Sequence, residues 1–187
     1  FATTNSYAKT AEEVIIDEPS ETVSYLKRYK DDSSQTATDF GKLVTQSSSG
    51  RMKPLNSLNV EIVRKISTKA SMFGMTADQI VLGMLTRPEL WRNIKMIKVK
   101  TPKLKQIVGV DESRKYIAFS EIFKDGTYIL SEEVDKANRL QPAKRGTFER
   151  DLLNVDERLN VAYMTYNGNL LRIIPNRFST KEENNKW

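Results

Sequence analysis

The sequence predicts an α+β fold that is predominantly helical, on the strength of three observations. One is a long apolar seam over residues 147–167, another is a set of shorter amphipathic segments, and the third is a few short alternating segments. The seam residues recur every three or four positions, the spacing of one helix face: Phe148, Leu152, Val155, Leu159, Ala162 and Tyr166. The few short strands should form a small, mainly antiparallel sheet beside the helices.

Start and stop signals divide the other helical segments. Ser57 and Thr76 are predicted N-caps, because their side chains can accept the free backbone N–H groups of a first helical turn. Thr101 followed by Pro102 predicts a further helix start, since proline fits the first helical position. Gly168 predicts the end of the long helix in a left-handed conformation.

Short segments of alternating or β-branched residues predict the strands. They cover residues 40–46, 96–100, 116–119 and 170–175, while the polar residues 30–38 predict a loose connection. Lys98 and Lys100 would point outward from the second of these strands, where lysines discourage pairing with another chain.

The domain organisation follows from a change in composition near residue 40. Residues 1–39 are predicted to be a partly ordered N-terminal arm, residues 40–175 a single globular domain, and residues 176–187 a mobile polar tail. The chain starts with Phe1 and shows no signal-peptide pattern, which indicates a piece of a longer protein.

Composition excludes many functions. The 187 residues include no histidine and no cysteine, so disulfides, thiol nucleophiles, Ser-His-Asp catalysis and the usual zinc sites are unavailable. We therefore expect no catalytic residue and no metal ligand in this chain. No apolar run is long enough to cross a bilayer. The net charge of +6 favours contact with acidic partners or an anionic membrane surface.

The methionines and a series of lysines each allow a structural and a functional interpretation. The six methionines could suggest haem or copper ligation, but haem ligation by methionine normally pairs it with histidine, so we interpret all six as core filler. A lysine series could mark an anion or nucleic-acid site, yet no nucleic-acid-binding motif accompanies it. We interpret this series as a contribution to solubility and expect no nucleic-acid partner. The series consists of Lys95, Lys98, Lys100, Lys103 and Lys105.

The first candidate binding residues lie where a serine-rich loop meets a helix, at residues 50–58. Arg51 and Lys53 are two cations on a loop that Pro54 stiffens, and Asn56 follows them. Such cations could meet carboxylates of a ligand or partner. We include Arg51, Lys53 and Asn56 as candidate binding residues.

The second candidate group lies on the long helix, as Asp156, Glu157 and Arg158. Adjacent residues on a helix point in different directions, so the two carboxylates make a poor acid–base pair. The simpler interpretation is a solvated helix face, or a salt bridge from these carboxylates to Arg51 or Lys53.

Several segments together resemble one family. The run GRMKPL at residues 50–55, the helix end at residues 62–67 and the run MTADQIVLGM at residues 75–84 are similar to the large extracytoplasmic domain of ResB/CcsA-type cytochrome c biogenesis proteins. Further similarity lies at residues 96–99, 148–160, 166–168 and 170–175. These fused proteins are the bacterial cytochrome c synthases of System II, and the resemblance covers residues 40–175.

The resemblance implies a parent protein in the inner membrane that moves haem outward and attaches it to the CxxCH motif of apocytochrome c, as a haem lyase. This chain would be its periplasmic domain, binding no cofactor itself while the full-length protein handles haem. The implied partners are apocytochrome c and the transmembrane part of the same protein, with contact to the membrane surface. The family's haem-handling histidines and tryptophan-rich signature belong to the membrane part, and this chain has neither.

We therefore expect a non-catalytic domain that contributes to haem delivery and attachment by scaffolding or partner docking. Arg51 and Lys53 would meet haem propionates or an acidic stretch of a partner. The alternative is an autonomous periplasmic binding domain that captures a peptide or small anionic ligand between the helices that begin near Ser57 and Phe148. A deep cleft with convergent polar groups would favour capture, and a filled core with a flat face would favour scaffolding.

Overall fold

The computed structural model describes residues 20–47, 50–124 and 126–173, and these form a mainly helical α+β fold, as predicted. The helices within these ranges are α1 Ser20–Asp32, α2 Ser34–Lys42, α3 Leu55–Ser67, α4 Ala77–Thr86, α5 Pro88–Trp91, α6 Pro102–Val108, α7 Ser131–Arg139 and α8 Thr147–Tyr166. Short 3₁₀ turns lie at Ser120–Ile122 and Pro142–Lys144.

The strands form three separate antiparallel pairs rather than one sheet in the described ranges. β1 Val44–Gln46 pairs with β2 Met52–Pro54, β3 Ile97–Lys98 with β4 Tyr116–Ile117, and β5 Phe123–Lys124 with β6 Thr127–Tyr128. Strands of two or three residues make few ladder hydrogen bonds, so their positions depend on the helices beside them.

The long helix α8 confirms the clearest sequence prediction. Leu152, Val155 and Ala162 of its seam are fully buried, where α8 packs against α3, α4 and α7. Gly168 follows with φ of 70°, the predicted left-handed conformation. Periodicity alone was sufficient here because the seam is long.

Helix α3 begins two residues before the predicted cap at Ser57. Pro54 precedes its first residue, Leu55, and Ser57 is exposed. Leu55 is fully buried, and its N–H donates to the Leu43 carbonyl across 2.7 Å. The helix start is therefore fixed by packing and by proline, and the prediction of a Ser57 cap is wrong.

Helix α4 begins at the predicted cap. The Thr76 hydroxyl accepts from the Gln79 N–H, and the Gln79 side chain accepts from the Thr76 N–H, which forms a capping box. The Gln79 amide also donates to the Lys30 carbonyl and to the Ser33 hydroxyl. One glutamine thus caps α4 and attaches the α1–α2 turn to it.

The predicted loose connection at residues 30–38 is wrong, because these residues belong to α1 and α2. Leu26 and Ala37 are buried, and the Tyr29 hydroxyl donates to the Gln79 carbonyl over 2.9 Å. The strand expected at residues 40–46 is restricted to Val44–Gln46. Residues 1–19 of the predicted arm lie outside the described residues.

Two further segments differ from the predictions. Helix α7 was missed, since it carries only two buried residues, Val134 and Ala137. Residues 170–173 form no strand, although the Arg172 backbone bonds to Gln46 and to the Thr45 hydroxyl. Residues 174–175 of that predicted strand lie outside the described ranges.

The core is centred on Trp91, which is fully buried. Gly83 on α4 packs directly against the Trp91 indole ring. Only glycine fits at this position, because a Cβ would come within 2.3 Å of the ring. Four methionines are buried core residues, Met72, Met75, Met84 and Met96, whereas Met52 is 62% exposed and is no core filler. Among the described helices, none is both long and apolar enough to cross a membrane.

Candidate functional site

The predicted binding residues at the start of α3 have separate surroundings. Arg51 is exposed, Lys53 forms an ion pair with Glu61 at 2.6 Å, and the Asn56 amide donates to Asp78 at 2.7 Å. The side chains of Lys53 and Asn56 thus have partners within the protein, although Asn56 is exposed, as Arg51 is.

The predicted carboxylates on α8 also point to different elements. Asp156 accepts from the Tyr128 hydroxyl at 2.6 Å, and Glu157 pairs with Lys65 of α3 at 2.5 Å. The expected salt bridges from these carboxylates to Lys53 are wrong, because Lys53 pairs with Glu61 instead.

Arg158, the last candidate on α8, is a buried structural cation. Its guanidinium donates to the Lys98 carbonyl at the end of β3. Burial lowers the pKa of Arg158. The structure therefore does not bring the six sequence-predicted residues together into one site.

Two buried carboxylates fix the positions of neighbouring elements. Asp78 accepts from the Asn56 and Asn59 amides, each at 2.7 Å. Asp151 accepts from the N–H groups of Lys100 and Thr101, at 3.0 and 2.7 Å, and so provides the start of α6 with an acceptor from α8. Both oxygens of Asp78 accept hydrogen bonds, whereas all the bonds to Asp151 reach its Oδ2, and its buried Oδ1 has no donor among the described residues. Both carboxylates hold neighbouring elements in position, so their role is structural.

Five lysines are grouped around Lys98, two of them over the Tyr116 ring, and we call this group the lysine surface. Its members are Lys69, Lys98, Lys100, Lys105 and Lys115. Lys69 follows α3, Lys98 is in β3 and Lys100 lies two residues after it. Lys105 is in α6, and Lys115 immediately precedes β4. The Lys98 ammonium lies 4.7 Å from the Tyr116 ring centroid, and that of Lys69 lies 5.8 Å from it.

The lysine surface is electrostatically unbalanced. Burial lowers the pKa of Lys98, and the charges of its four lysine neighbours lower it further, with no carboxylate acting in the opposite direction. No ion pair joins these five lysines to a carboxylate in the described part of the chain. An anion placed here would relieve this mutual repulsion.

The lysine series seen in the sequence is divided by the fold. Lys98, Lys100 and Lys105 contribute to the lysine surface, whereas the Lys103 ammonium lies 4.1 Å from the Phe148 ring centroid. Lys69 and Lys115 were missed in the sequence because they are distant in the chain from that series.

A second feature is an open cavity of about 450 Å³, which we call the aromatic cavity. It is lined by Arg92, Phe119, Ser120, Phe123, Gly126 and Tyr163. It lies beside the Ser120–Ile122 turn and the β5–β6 hairpin, so it differs from the cleft predicted between the helices near Ser57 and Phe148. No sequence motif marked this cavity.

Arg92 is the charged group of the aromatic cavity. Its guanidinium carbon lies 5.4 Å from the Tyr166 ring centroid and 6.0 Å from that of Phe119, within the range of cation–π attraction. Its Nε is buried and has no hydrogen-bond acceptor among the described residues. Burial raises the pKa of Tyr166, and the nearby Arg92 charge opposes that rise.

The structure therefore defines a mainly helical α+β domain with two cationic surface sites. The chain is similar to Protein NrfI of Wolinella succinogenes, with 43% identity over 152 residues that make up 81% of this chain. The aligned part is 17% of NrfI, so this chain corresponds to less than a fifth of that protein. No protein-family model matches the chain.

Proposed function

We propose that this chain is a non-catalytic periplasmic domain of a larger System II, ResB/CcsA-type cytochrome c biogenesis protein. The similarity to NrfI supports a role in cytochrome c biogenesis or maturation. The family resemblance described above adds the finer assignment, including a parent protein in the inner membrane that acts as the haem lyase. The domain would assist haem delivery and attachment to apocytochrome c by holding a partner in position.

The lysine surface is the observation that carries the docking role. Four lysines lie close enough to Lys98 to lower its pKa, and none of the five forms an ion pair with a described carboxylate. Lys105 is buried and its ammonium donates to the Glu112 carbonyl, so the other four lysines supply the exposed charge. Complementary charge accelerates encounter and sets the orientation of protein partners. An acidic stretch on apocytochrome c, or on the transmembrane part of the same protein, is the partner that fits this surface.

Haem enters this proposal as cargo of the full-length protein. The chain has no histidine and no cysteine, so it supplies neither the imidazole nor the thiolate that commonly ligates haem iron. Positioning, rather than ligation, is the contribution proposed for this domain. Arg51 remains a secondary candidate for contact with a propionate or an acidic stretch, because its side chain is exposed.

The test is a charge-removal series in the full-length parent protein. Replacing Lys69, Lys98 and Lys115 together with glutamine should reduce the amount of cytochrome c that carries covalent haem several-fold at an unchanged level of the parent. The matched control replaces Lys42, Lys65 and Lys136, each of which is paired with a carboxylate. Equal haem attachment in the two triple variants would remove the lysine surface from the proposal.

The periplasmic location is tested separately. A reporter enzyme that is active only outside the cytoplasm, inserted after Trp187 in the full-length parent, should be active. Activity of a cytoplasm-specific reporter at the same position would contradict the location and leave the lysine-surface test unaffected.

A second candidate function is capture of a peptide or small anionic ligand. The aromatic cavity favours it, because it combines an apolar wall with one cation that has no described carboxylate partner. This candidate requires no cytochrome pathway.

A further inference from the structure

We propose that the aromatic cavity is a docking pocket for an extended polypeptide segment that presents an aromatic side chain next to a carboxylate. The inference deepens the second candidate function above and rests on it. It uses residues separate from the lysine surface, so the two can fail independently.

The apolar part of the ligand is indicated by a continuous group of rings. Phe119 lies 5.1 Å from Phe123 and 5.4 Å from Tyr166, and Phe123 lies 5.7 Å from Tyr128, measured between ring centroids. Aromatic pairs prefer offset or edge-to-face arrangements at these distances, so a further ring can extend the group. Phe119 and Tyr166 are buried, and Phe123 is the exposed member of the group that a ligand ring can reach. Aromatic side chains are common anchors in pockets at protein interfaces.

The charged part of the ligand is indicated by Arg92. It lines the cavity, and no described carboxylate pairs with it. Its Nε–H is buried without an acceptor among the described residues, and no described carboxylate lies within ion-pair distance of the guanidinium, so its charge has no counter-ion in this part of the protein. A carboxylate matches the planar fork of arginine better than any other common side chain, because it accepts two parallel hydrogen bonds.

Two small residues keep the mouth of the cavity accessible. The Ser120 N–H donates to the Arg92 carbonyl at 3.0 Å, which fixes the serine beside the arginine, and the serine itself is exposed. Gly126 in the hairpin has φ of 77°, and a Cβ there would meet no atom within 4 Å. An extended segment can therefore approach over the hairpin without a steric block from this position.

The open walls favour a polypeptide over a free small molecule. Phe123 is 37% exposed and Tyr163 is 51% exposed, so the cavity covers one side of a ligand. Small-molecule sites usually enclose most of the ligand surface. A segment that places one side chain in the pocket and continues across the rim satisfies this shape.

The experiment measures binding of labelled peptides to the 187-residue chain. The probe peptide is Gly-Ser-Trp-Glu-Ser-Gly with blocked ends, and the comparison peptides replace Trp by Ala or Glu by Gln. We expect saturable binding of the Trp-Glu peptide and binding about tenfold weaker for each comparison peptide. Equal affinity of the Glu and Gln peptides would overturn the role of the carboxylate.

Protein variants then locate the binding. Tyr163→Ser should weaken binding of the Trp-Glu peptide about tenfold, while Leu140→Ser, at a similarly exposed apolar residue outside the cavity, should not. Arg92→Gln should make the Glu and Gln peptides bind equally. Because Tyr163 is on the surface, its variant keeps the test informative even if the Arg92 variant does not fold.

Three other outcomes would overturn the proposal. They are the absence of saturable binding, equal weakening by the Tyr163 and Leu140 variants, and tight Tyr163-dependent binding to phosphatidylglycerol vesicles that the peptide does not displace. The last outcome would assign the cavity to a lipid surface. None of these outcomes affects haem attachment by the triple lysine variant, so failure here is distinct from failure of the proposed docking role.

Discussion

The buried carboxylates and the surface cations of this domain differ in how they are neutralised. Asp78 and Asp151 are less than a tenth exposed, and each accepts hydrogen bonds from two neighbouring residues. Lys98 and Arg92 are only partly buried, and each lies against aromatic rings with no described carboxylate in an ion pair. A charge that is satisfied internally has a structural role, whereas a charge left without a counter-ion is available to a ligand.

This contrast follows from desolvation. A buried carboxylate without donors costs several kcal/mol, so a stable domain must supply donors for Asp78 and Asp151 from its own chain. A cation at the surface keeps part of its hydration and can remain without a protein partner. The comparison therefore predicts that substituting the buried carboxylates lowers stability, whereas substituting a surface cation such as Lys98 leaves it nearly unchanged.

The largest effect is expected for Asp78→Ala. It removes the acceptor of the Asn56 and Asn59 amides and leaves the fully buried Asn59 donor without a partner. We expect the free energy of unfolding, measured by urea titration, to fall by about 3 kcal/mol. The control Asp39→Ala removes an exposed carboxylate paired with Lys42 and should change little. Equal effects of the two substitutions would break the comparison.

Asp151→Ala is expected to have the second largest effect. It removes the acceptor for the N–H groups of Lys100 and Thr101, at a helix start where few other acceptors exist. The free energy of unfolding should fall by about 2 kcal/mol. Glu157→Ala on the same helix removes only an exposed pair with Lys65, so its effect should stay below about 1 kcal/mol. A larger loss at Glu157 than at Asp151 would contradict this ranking.

Tyr128 and Asp156 are an intermediate, half-buried case. Tyr128→Phe removes a 2.6 Å hydrogen bond and should cost about 1 kcal/mol at neutral pH. Burial, and then the bond to Asp156, raise the pKa of Tyr128 well above its ordinary value of 10.0. The folded state therefore resists ionisation that the unfolded chain undergoes, and stability is lost as the pH rises above that ordinary pKa.

The Tyr128→Phe variant has no ionisable hydroxyl at this position, so it does not lose this part of its stability at high pH. Its deficit relative to the wild type should shrink by up to about 1.4 kcal/mol for each pH unit above pH 10, as measured by urea titrations from pH 8 to 11. Tyr29, whose pKa burial raises to about 12, is present in both proteins and contributes equally to each. A deficit that stays constant over this range would refute the raised pKa of Tyr128.

The smallest effect on stability is expected for Lys98→Gln. The substitution removes attraction to the Tyr116 ring and also removes repulsion from four lysines, so the two changes oppose each other. The free energy of unfolding should remain within about 0.5 kcal/mol of the wild type. Heparin or another soluble polyanion should nevertheless bind more weakly, as measured by the salt needed for elution. A large fall in the free energy of unfolding of the Lys98→Gln variant would show that Lys98 has a structural role, as Asp78 and Asp151 do.

The predictions from sequence succeeded where the signal is local. Thr76 and Gln79 form a capping box within four residues, and the seam of α8 repeats over five turns, so neither depends on distant contacts. The predicted start of α3 was wrong by three residues, because the start depends on the Leu43 carbonyl, which the sequence pattern does not show. Residues 30–38 were wrongly expected to be loose, because their helical structure is held by Gln79 and by a few buried side chains.

The candidate sites were less predictable than the fold. Lys53 and Glu157 were expected to be near each other, but their ion pairs are formed with Glu61 and Lys65. Long flexible side chains can form ion pairs with several different residues. Which pair forms depends on how the helices pack rather than on spacing in the sequence.

The sequence by itself determined the helical character of the chain, its excess of positive charge and its lack of imidazole and thiol groups. Those properties depend on composition and on short repeats. Only the tertiary structure decided that Asp78 and Asp151 accept hydrogen bonds from distant residues, that Lys69 and Lys115 lie near Lys98, and that Arg92 lies beside Tyr166. The physical reason is that these groups are far apart in the chain, so their contacts exist only after the helices have packed around the core.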